Sequence, residues 1–145
     1  DGRLVPQIAA VGSSVYSLDY NNSYQVMSGT SMATPGVSGT LVLLYERYKN
    51  IYSTKPLASL MKALVSNTAK DVGNPGPDYK YGFGNLNALR AIKALDEKKF
   101  FTSTVANGEI FEKEITSNIK HSLQNILHSY LTATNLLKIF FCLYQ

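Results

Sequence analysis

The spacing of apolar positions predicts three helices in the first two thirds of the chain. Apolar residues from Val37 to Tyr48 recur at helical spacing and also occupy the opposite face, which predicts a buried central helix starting near Thr30 or Ser31. Gly36 and Gly39 each lower helix propensity by about 1 kcal/mol, so we expect close packing against other backbone there.

Two further apolar stripes predict the other helices. One covers residues 56–67, and the other follows a cap at Asn85 or Asn87 and ends near Leu95. Their predicted inward residues are Leu57, Leu60, Met61, Leu64 and Val65 in the first, and Leu86, Leu89, Ile92 and Leu95 in the second.

The remaining patterns predict extended chain and turns. Residues 4–11 form a strand or extended segment, and residues 13–25 form a loop with a short strand at 14–18, in which Asn21 and Asn22 are turn residues. Residues 101–115 predict a β-hairpin around Asn107-Gly108, because Asn-Gly between β-prone runs is a strong hairpin signal.

Beyond Glu114 the sequence changes character, since no acidic residue follows it. Residues 116–145 carry a helical apolar stripe and predict an amphipathic helix or a disordered tail. One hypothesis is a truncated or frame-shifted reading of the gene, and the rival is a genuine helix that docks on a partner or a membrane surface. The basic content is too low to favour a membrane. The stripe consists of Ile119, Leu123, Ile126, Leu127, Tyr130 and Leu131.

Composition narrows the classes of protein to consider. The chain has 145 residues, of which 45% are hydrophobic and 17% charged, enough to build a core. A net charge of +4 without a dense basic patch argues against nucleic acid. No apolar run reaches about 18 residues, so no membrane partner is expected. The single Cys142 excludes an intrachain disulfide or a multi-cysteine metal site.

Candidate chemistry is concentrated where the central helix begins, in the run Gly29-Thr30-Ser31-Met32-Ala33-Thr34-Pro35. A serine at a helix N-terminus lies beside unpaired backbone N–H groups and the positive end of the helix dipole. These groups suit an acyl-transfer nucleophile, because a nearby N–H can stabilise an oxyanion. The simpler interpretation is that Ser31 only caps the helix. Pro35 is compatible with a helix in its first turn.

This run resembles the nucleophile signature of the subtilisin-like serine peptidases, the subtilases, without a mismatch from Gly29 to Pro35. Flanking segments resemble the same family in the same order over about residues 1–96. These segments are Gly2-Arg3-Leu4-Val5-Pro6-Gln7-Ile8, Lys62-Ala63-Leu64-Val65-Ser66-Asn67-Thr68-Ala69 and Tyr81-Gly82-Phe83-Gly84-Asn85-Leu86-Asn87-Ala88.

The resemblance implies an α/β fold: an incomplete subtilisin-like three-layer arrangement with a parallel sheet and a buried central helix that starts at the nucleophile. It implies that Ser31 is the catalytic nucleophile, that its own N–H contributes to an oxyanion hole, and that Thr30 supports that hole. The domain prediction assigns residues 1–97 to the catalytic domain, 98–115 to the start of an appended β-sandwich-like domain, and 116–145 to a tail of doubtful origin.

The other two members of a catalytic triad are missing from the expected place. In subtilisin the order is Asp, His, Ser, yet the thirty residues before Ser31 contain no histidine. His121 and His128 lie far downstream and are poor candidates for the base. We therefore expect a serine endopeptidase fragment that is inactive alone, its Asp, His, oxyanion asparagine and signal region lying upstream of Asp1. The alternatives are a non-catalytic subtilase-like binding module and a helical interaction protein with a coincidental motif.

Some positions depart from the family pattern. Val5, Gln7, Val11 and Gly36 replace residues usual in the family, and the acid lost at Gln7 puts a charge pairing there in doubt. No cofactor or metal is specified; the loop from Asp71 to Asp78 is read as a solvated turn, although structural calcium is known in the family. The resemblance implies protein or peptide substrates and a secreted or cell-surface location.

Overall fold

The computed structural model describes residues 4–105 and two strands beyond them. Its elements are β1 (Val15–Asp19), β2 (Ser23–Met27), α1 (Thr30–Tyr52), α2 (Ala58–Asn67), α3 (Ala88–Asp96), β3 (Phe100–Val105), β4 (Ile126–Leu131) and β5 (Leu137–Cys142). Helices and strands together confirm the α/β class. The predicted parallel sheet is not found among the described residues, whose strand ladders are antiparallel and whose parallel pairing is limited to a single bridge between Ala9 and Asn85. β1 and β2 are joined by a three-residue turn, and such a short connection permits only antiparallel pairing.

The hydrophobic core lies where α2 and α3 pack against one side of α1. α2 contributes most of it, and Leu64 has no exposed surface. In α3 the buried residues are Ala91, Ala94 and Leu95, whereas Leu89, predicted to point inward, is 64% exposed. Leu57, also predicted inward, precedes α2 and is 45% exposed. The apolar stripes therefore predicted the positions of both helices correctly, and the prediction of inward side chains is wrong at Leu57 and Leu89.

The central helix begins where predicted but is not buried on most sides. Only Thr40 and Leu44 of α1 are buried, and Val42 and Leu43 are 65% and 54% exposed. The expectation of close backbone packing at Gly36 and Gly39 is also wrong for the described residues. A Cβ added at either glycine would meet no described atom within 4 Å. The reason is that α2 and α3 cover one face of the helix and the opposite face stays open.

An extended segment before β1 crosses the loop that precedes α3. The N–H of Phe83 donates to the carbonyl oxygen of Gln7, and Ala9 accepts from Leu86 at 2.8 Å and donates to Gly84 at 2.9 Å. Gly82 has φ +64°, and an added Cβ would collide with the backbone of Pro6 and Gln7. The segment and the loop therefore form a closely packed backbone layer. The extended conformation predicted for residues 4–11 is found from residue 8 onward, whereas residues 5–7 form bends.

The C-terminal part of the structure is a three-stranded antiparallel sheet in the order β3-β5-β4, with β4 and β5 beside α2. β3 confirms the first strand of the predicted hairpin, while the Asn107-Gly108 turn and residues 110–115 lie outside the described residues. The helix predicted through the tail is wrong at β4 and β5. The run Ile139-Phe140-Phe141 is rich in strand-forming residues, and pairing with β3 decides the conformation where periodicity is ambiguous.

The domain boundaries at residues 97 and 115 stay predictions. β5 belongs to the predicted tail and pairs with β3, which belongs to the preceding predicted domain. Within the part of the chain that the structure describes, no helix is both long and apolar enough to cross a bilayer.

Candidate active site

A β-hairpin leads directly into the predicted nucleophile. β1 and β2 pair from Val15↔Met27 to Asp19↔Ser23, and Asn21 and Asn22 in the connecting turn have φ of 57° and 55°. Asparagine tolerates this left-handed conformation better than most residues, which confirms their prediction as turn residues. β2 itself was missed from the sequence, where residues 13–25 were predicted as a loop with one short strand. The hairpin ends four residues before Ser31.

The junction between hairpin and helix is fixed by close contacts with the segment before β1. The N–H of Gly29 donates to the carbonyl oxygen of Gly12 at 2.7 Å. A Cβ added at Gly12 would lie 2.6 Å from the Gly29 oxygen and 3.0 Å from the Cβ of Ala33. Only glycine at position 12 lets the two chains approach this closely. This contact places the first turn of α1 against residues 12–14.

Helix α1 starts without a side-chain cap. Gly29 is its N-cap residue, and the Gly29 carbonyl oxygen accepts from the N–H of Met32 at 3.1 Å and of Ala33 at 3.3 Å. The N–H groups of Thr30 and Ser31 come before Met32, the first N–H that donates within the helix, and therefore have no carbonyl oxygen of an earlier helical turn to bond. The simpler interpretation, in which the Ser31 side chain serves as the cap, is therefore wrong. The positive end of the helix dipole lies beside Ser31.

Ser31 is exposed and borders a cavity of about 210 Å³ between the hairpin and the helix. The lining is mostly apolar, with Ser17 and Gln25 as polar contributions from the hairpin. The lining residues are Val15, Ser17, Leu18, Gln25, Met27, Ser31, Met32 and Pro35. A hydroxyl at such an opening can reach a molecule outside the protein, and the helix N-terminus offers N–H groups to a developing negative charge.

The remaining motif residues have structural contacts of their own. The hydroxyl of Thr34 donates to the Thr30 carbonyl oxygen at 2.9 Å, a helical side-chain contact. Pro35 lies inside α1, just beyond the first turn in which it was expected. It has no N–H to donate to the Ser31 carbonyl oxygen four residues earlier. The predicted roles of Ser31 as nucleophile and Thr30 as oxyanion support stay predictions.

Asp78 organises the loop that was read as a solvated turn. Its carboxylate accepts N–H groups of Tyr81 at 2.7 Å, Lys80 at 2.8 Å and Asn74 at 3.2 Å. The Tyr81 N–H above all, followed by those of Lys80 and Asn74 and the Lys80 charge, lowers the pKa of Asp78 despite partial burial. Within the described part of the chain no three His, Cys, Asp or Glu residues cluster to hold a metal ion.

Residues 4–105 offer no histidine as a general base for Ser31. His128 lies in β4 and His121 lies outside the described residues. A serine hydroxyl is a weak nucleophile unless a base accepts its proton. The described residues therefore hold a candidate nucleophile and candidate oxyanion donors, without the group that would activate them.

Comparison with known proteins places the chain in a family. The geometry is that of an α/β protein with an exposed serine at the N-terminus of its longest helix. The sequence profile described as the Subtilase family matches residues 1–84, more than half of the chain. The chain therefore belongs to the subtilase family.

Individual relatives agree with this assignment. The C5a peptidase of Streptococcus pyogenes is 30% identical over 149 residues, and the match covers 92% of this chain but 12% of that protein. The PII-type proteinase of Lactococcus lactis subsp. cremoris is 32% identical over 134 residues, covering 79% of this chain and 7% of that protein. The chain thus corresponds to a small share of the length of these relatives.

A solved structure supports the fold as well as the sequence relationship. The patellamide maturation protease PatA superposes with a TM-score of 0.54 at 26% sequence identity. The match covers 62% of this chain and 34% of that protein. The incomplete subtilisin-like fold inferred from the sequence is therefore confirmed.

Proposed function

We propose that the protein is a serine endopeptidase of the subtilase type, with Ser31 as its nucleophile. The observation that carries the proposal is the position of Ser31: exposed, beside a cavity, at a helix start that no side chain caps. Membership of the subtilase family and relatives named peptidase or proteinase support the same reaction.

In the proposed reaction the Ser31 oxygen attacks the carbonyl carbon of a peptide bond. A carbon–oxygen bond forms, the serine proton passes to an imidazole base, and the Ser31 N–H donates to the oxyanion. The carbon–nitrogen bond then breaks as the base returns the proton to the leaving amine. Water, activated by the same base, hydrolyses the acyl-enzyme and restores the serine. No cofactor takes part in these steps.

The base and its aspartate are proposed to come from polypeptide outside these 145 residues. This proposal is supported by the absence of histidine from residues 4–105 and by the order in subtilisin, where both partners precede the serine in sequence. We therefore expect the 145-residue chain alone to show no turnover. The proposed substrates are proteins or peptides, with no nucleic-acid or membrane partner, and the proposed location is secreted or cell-surface.

A fluorophosphonate probe tests this proposal on the complete polypeptide encoded by the gene. The Ser31 oxygen would form a bond to phosphorus, fluoride would leave, and the hydroxyl proton would pass to the base. We expect covalent labelling that Ser31→Ala abolishes and that Ser38→Ala, an exposed serine further along α1, leaves intact. Equal labelling of wild type and Ser31→Ala would refute the nucleophile assignment.

The second candidate function is a non-catalytic binding module with a subtilase fold. The observation that favours it is the absence of a histidine from residues 4–105. An unlabelled complete polypeptide that still binds peptides with Ser31→Ala would support this candidate. Peptide hydrolysis by the 145-residue chain alone, dependent on Ser31, would contradict both the binding module and the expected need for outside residues.

A further inference from the structure

The contacts on either side of Ser28 tie the hairpin to the helix that carries Ser31. The β1–β2 ladder ends at Val15↔Met27. One residue further out, the N–H of Ser14 donates to the Ser28 hydroxyl oxygen at 2.8 Å. The next contact outward joins the N–H of Gly29 to the Gly12 carbonyl oxygen at 2.7 Å.

The Ser28 hydroxyl is needed because the backbone of Ser14 leaves the strand conformation. Ser14 has φ 53°, in the left-handed region that residues other than glycine adopt only when their surroundings fix it. The side-chain oxygen of Ser28 accepts the Ser14 N–H at the point where the strand ladder stops. One hydrogen bond thus links the left-handed turn at Ser14 to the side chain of Ser28.

The same contact bears on the start of the helix through Gly29. The Gly29 N–H is held by Gly12, and the Gly29 carbonyl oxygen accepts from Met32 and Ala33 in the first turn. Ser28, which precedes Gly29, is thus held by its hydrogen bond with Ser14. The Gly29 carbonyl oxygen in turn accepts the first hydrogen bonds of helix α1. A change in the orientation of Gly29 would therefore move the Ser31 hydroxyl and the Ser31 N–H together.

We propose that Ser28 is a positioning residue for the Ser31 nucleophile, acting through the hydrogen bond from Ser14 and the orientation of Gly29. The inference rests on the proposed endopeptidase function. It predicts that the Ser28 oxygen contributes to reaction rate rather than to substrate binding, because Ser28 acts on the orientation of reacting groups.

The chain offers a matched control at the other end of the hairpin. The Ser23 hydroxyl donates to the Tyr20 carbonyl oxygen at 2.7 Å, and like the Ser28 bond it is exposed. Ser23→Ala removes one side-chain hydrogen bond from the same hairpin, away from Ser31. Ser28→Thr keeps an oxygen at the position from which Ser28→Ala removes it.

The experiment measures the fluorophosphonate labelling rate, peptide-hydrolysis kcat and KM, and thermal midpoint for variants of the complete polypeptide. For Ser28→Ala we expect labelling and kcat about tenfold below wild type, with KM and thermal midpoint unchanged. Ser28→Thr should recover most of the rate, and Ser23→Ala should match wild type. Equal rates for Ser28→Ala and wild type would overturn the inference, as would a loss of rate that Ser23→Ala shares.

Amide hydrogen exchange in the 145-residue chain separates this inference from the proposed function. Ser28→Ala should speed exchange at the Ser14 and Gly29 N–H groups, and Ser23→Ala should not. Faster exchange together with an unlabelled wild-type polypeptide would mean that the endopeptidase proposal fails although the contact exists. Normal labelling of Ser28→Ala would mean that the endopeptidase proposal stands and the positioning role fails.

Discussion

The core around α2 and α3 and the junction between the β1–β2 hairpin and α1 are held together in different ways. The core buries apolar side chains, with Leu60, Leu64 and Leu95 at 2% exposure or less. At the junction the side chains from Asn21 to Ser31 are all exposed, and backbone hydrogen bonds and close glycine contacts fix the chain. Stability is therefore concentrated in one region and the candidate chemistry in the other.

The difference shows how a reactive serine can remain accessible. A side chain packed in the core would be held firmly and shielded from substrate. At the junction the backbone is held by direct hydrogen bonds, and the Ser31 side chain stays exposed at the edge of the cavity. Four substitutions or conditions test this contrast, from the largest expected effect to the smallest.

Leu64→Ala tests the core most directly. Leu64 has 0% exposure, so its truncation removes buried methyl groups and leaves a cavity that lowers the free energy of unfolding by about 3–4 kcal/mol. Leu43→Ala is the matched control on the open face of α1, where the leucine is 54% exposed and the change should stay within about 0.5 kcal/mol. Urea unfolding followed by circular dichroism measures both, and equal losses would contradict the contrast.

Gly82→Ala tests the backbone layer formed by the extended segment and the loop before α3. The added Cβ would collide with the backbone of Pro6 and Gln7 at a left-handed position, which should lower the free energy of unfolding by roughly 3 kcal/mol. Gly36→Ala lies on the open side of α1 and should instead stabilise by about 0.5–1 kcal/mol. Thermal unfolding of the pair checks the opposite signs, and a stabilising Gly82→Ala would refute the predicted clash.

Asn87→Ala compares a capped helix start with an uncapped one. The Asn87 side chain accepts from the N–H of Arg90 at 3.0 Å and caps α3, whereas no side chain caps α1. Loss of the cap should lower the free energy of unfolding by about 1 kcal/mol. Asn87→Ser retains an acceptor and should lose much less in the same denaturant titration. Identical losses for the two variants would show that the cap is not responsible.

Acid should weaken the loop around Asp78 by a smaller amount. Backbone N–H groups, with that of Tyr81 first, lower the pKa of Asp78 below its ordinary value of 3.8. A carboxylate whose pKa falls on folding stabilises the folded state above the unfolded pKa, and this contribution disappears as pH falls through the folded value. Unfolding from pH 6 down to about pH 2 should therefore be more pH-dependent in wild type than in Asp78→Asn. Parallel curves below about pH 4 would contradict the assignment.

How far the sequence alone predicts the structure depends on whether local or distant contacts determine the conformation of a segment. A helix start near Thr30 or Ser31 and an α3 cap at Asn85 or Asn87 were predicted from nearby residues alone, and α1 begins at Thr30 while Asn87 caps α3. The local rules failed in the detail of α1, which has no side-chain cap and carries Pro35 beyond its first turn. β2 was missed because residues 13–25 are rich in Ser, Tyr and Asn, a composition typical of loops. Tyr24 and Val26 do alternate with Ser23 and Gln25, but they are 58% and 61% exposed, so the strand buries no apolar face.

Distant partners explain the other differences. Burial of α1 was inferred from its apolar residues, but exposure depends on which elements cover each face, and this is not encoded in the helix itself. β4 and β5 were predicted as helix because their apolar spacing fits either conformation, and pairing across the sheet decided between them. The Ser28 contact escaped notice because nothing in the sequence indicates that Ser14 adopts a left-handed conformation.

The closeness in sequence of the junction contacts has a consequence for the order of assembly. Ser14 and Ser28 are separated by 14 residues, and all backbone contacts around Gly29 lie between Gly12 and Ala33. The extended segment at Gln7, by contrast, must wait for Phe83. On a ribosome adding about 5–20 residues per second, every partner in the junction exists seconds before the loop that completes the backbone layer. The turn that carries Ser31 can thus form during translation without waiting for the rest of the domain.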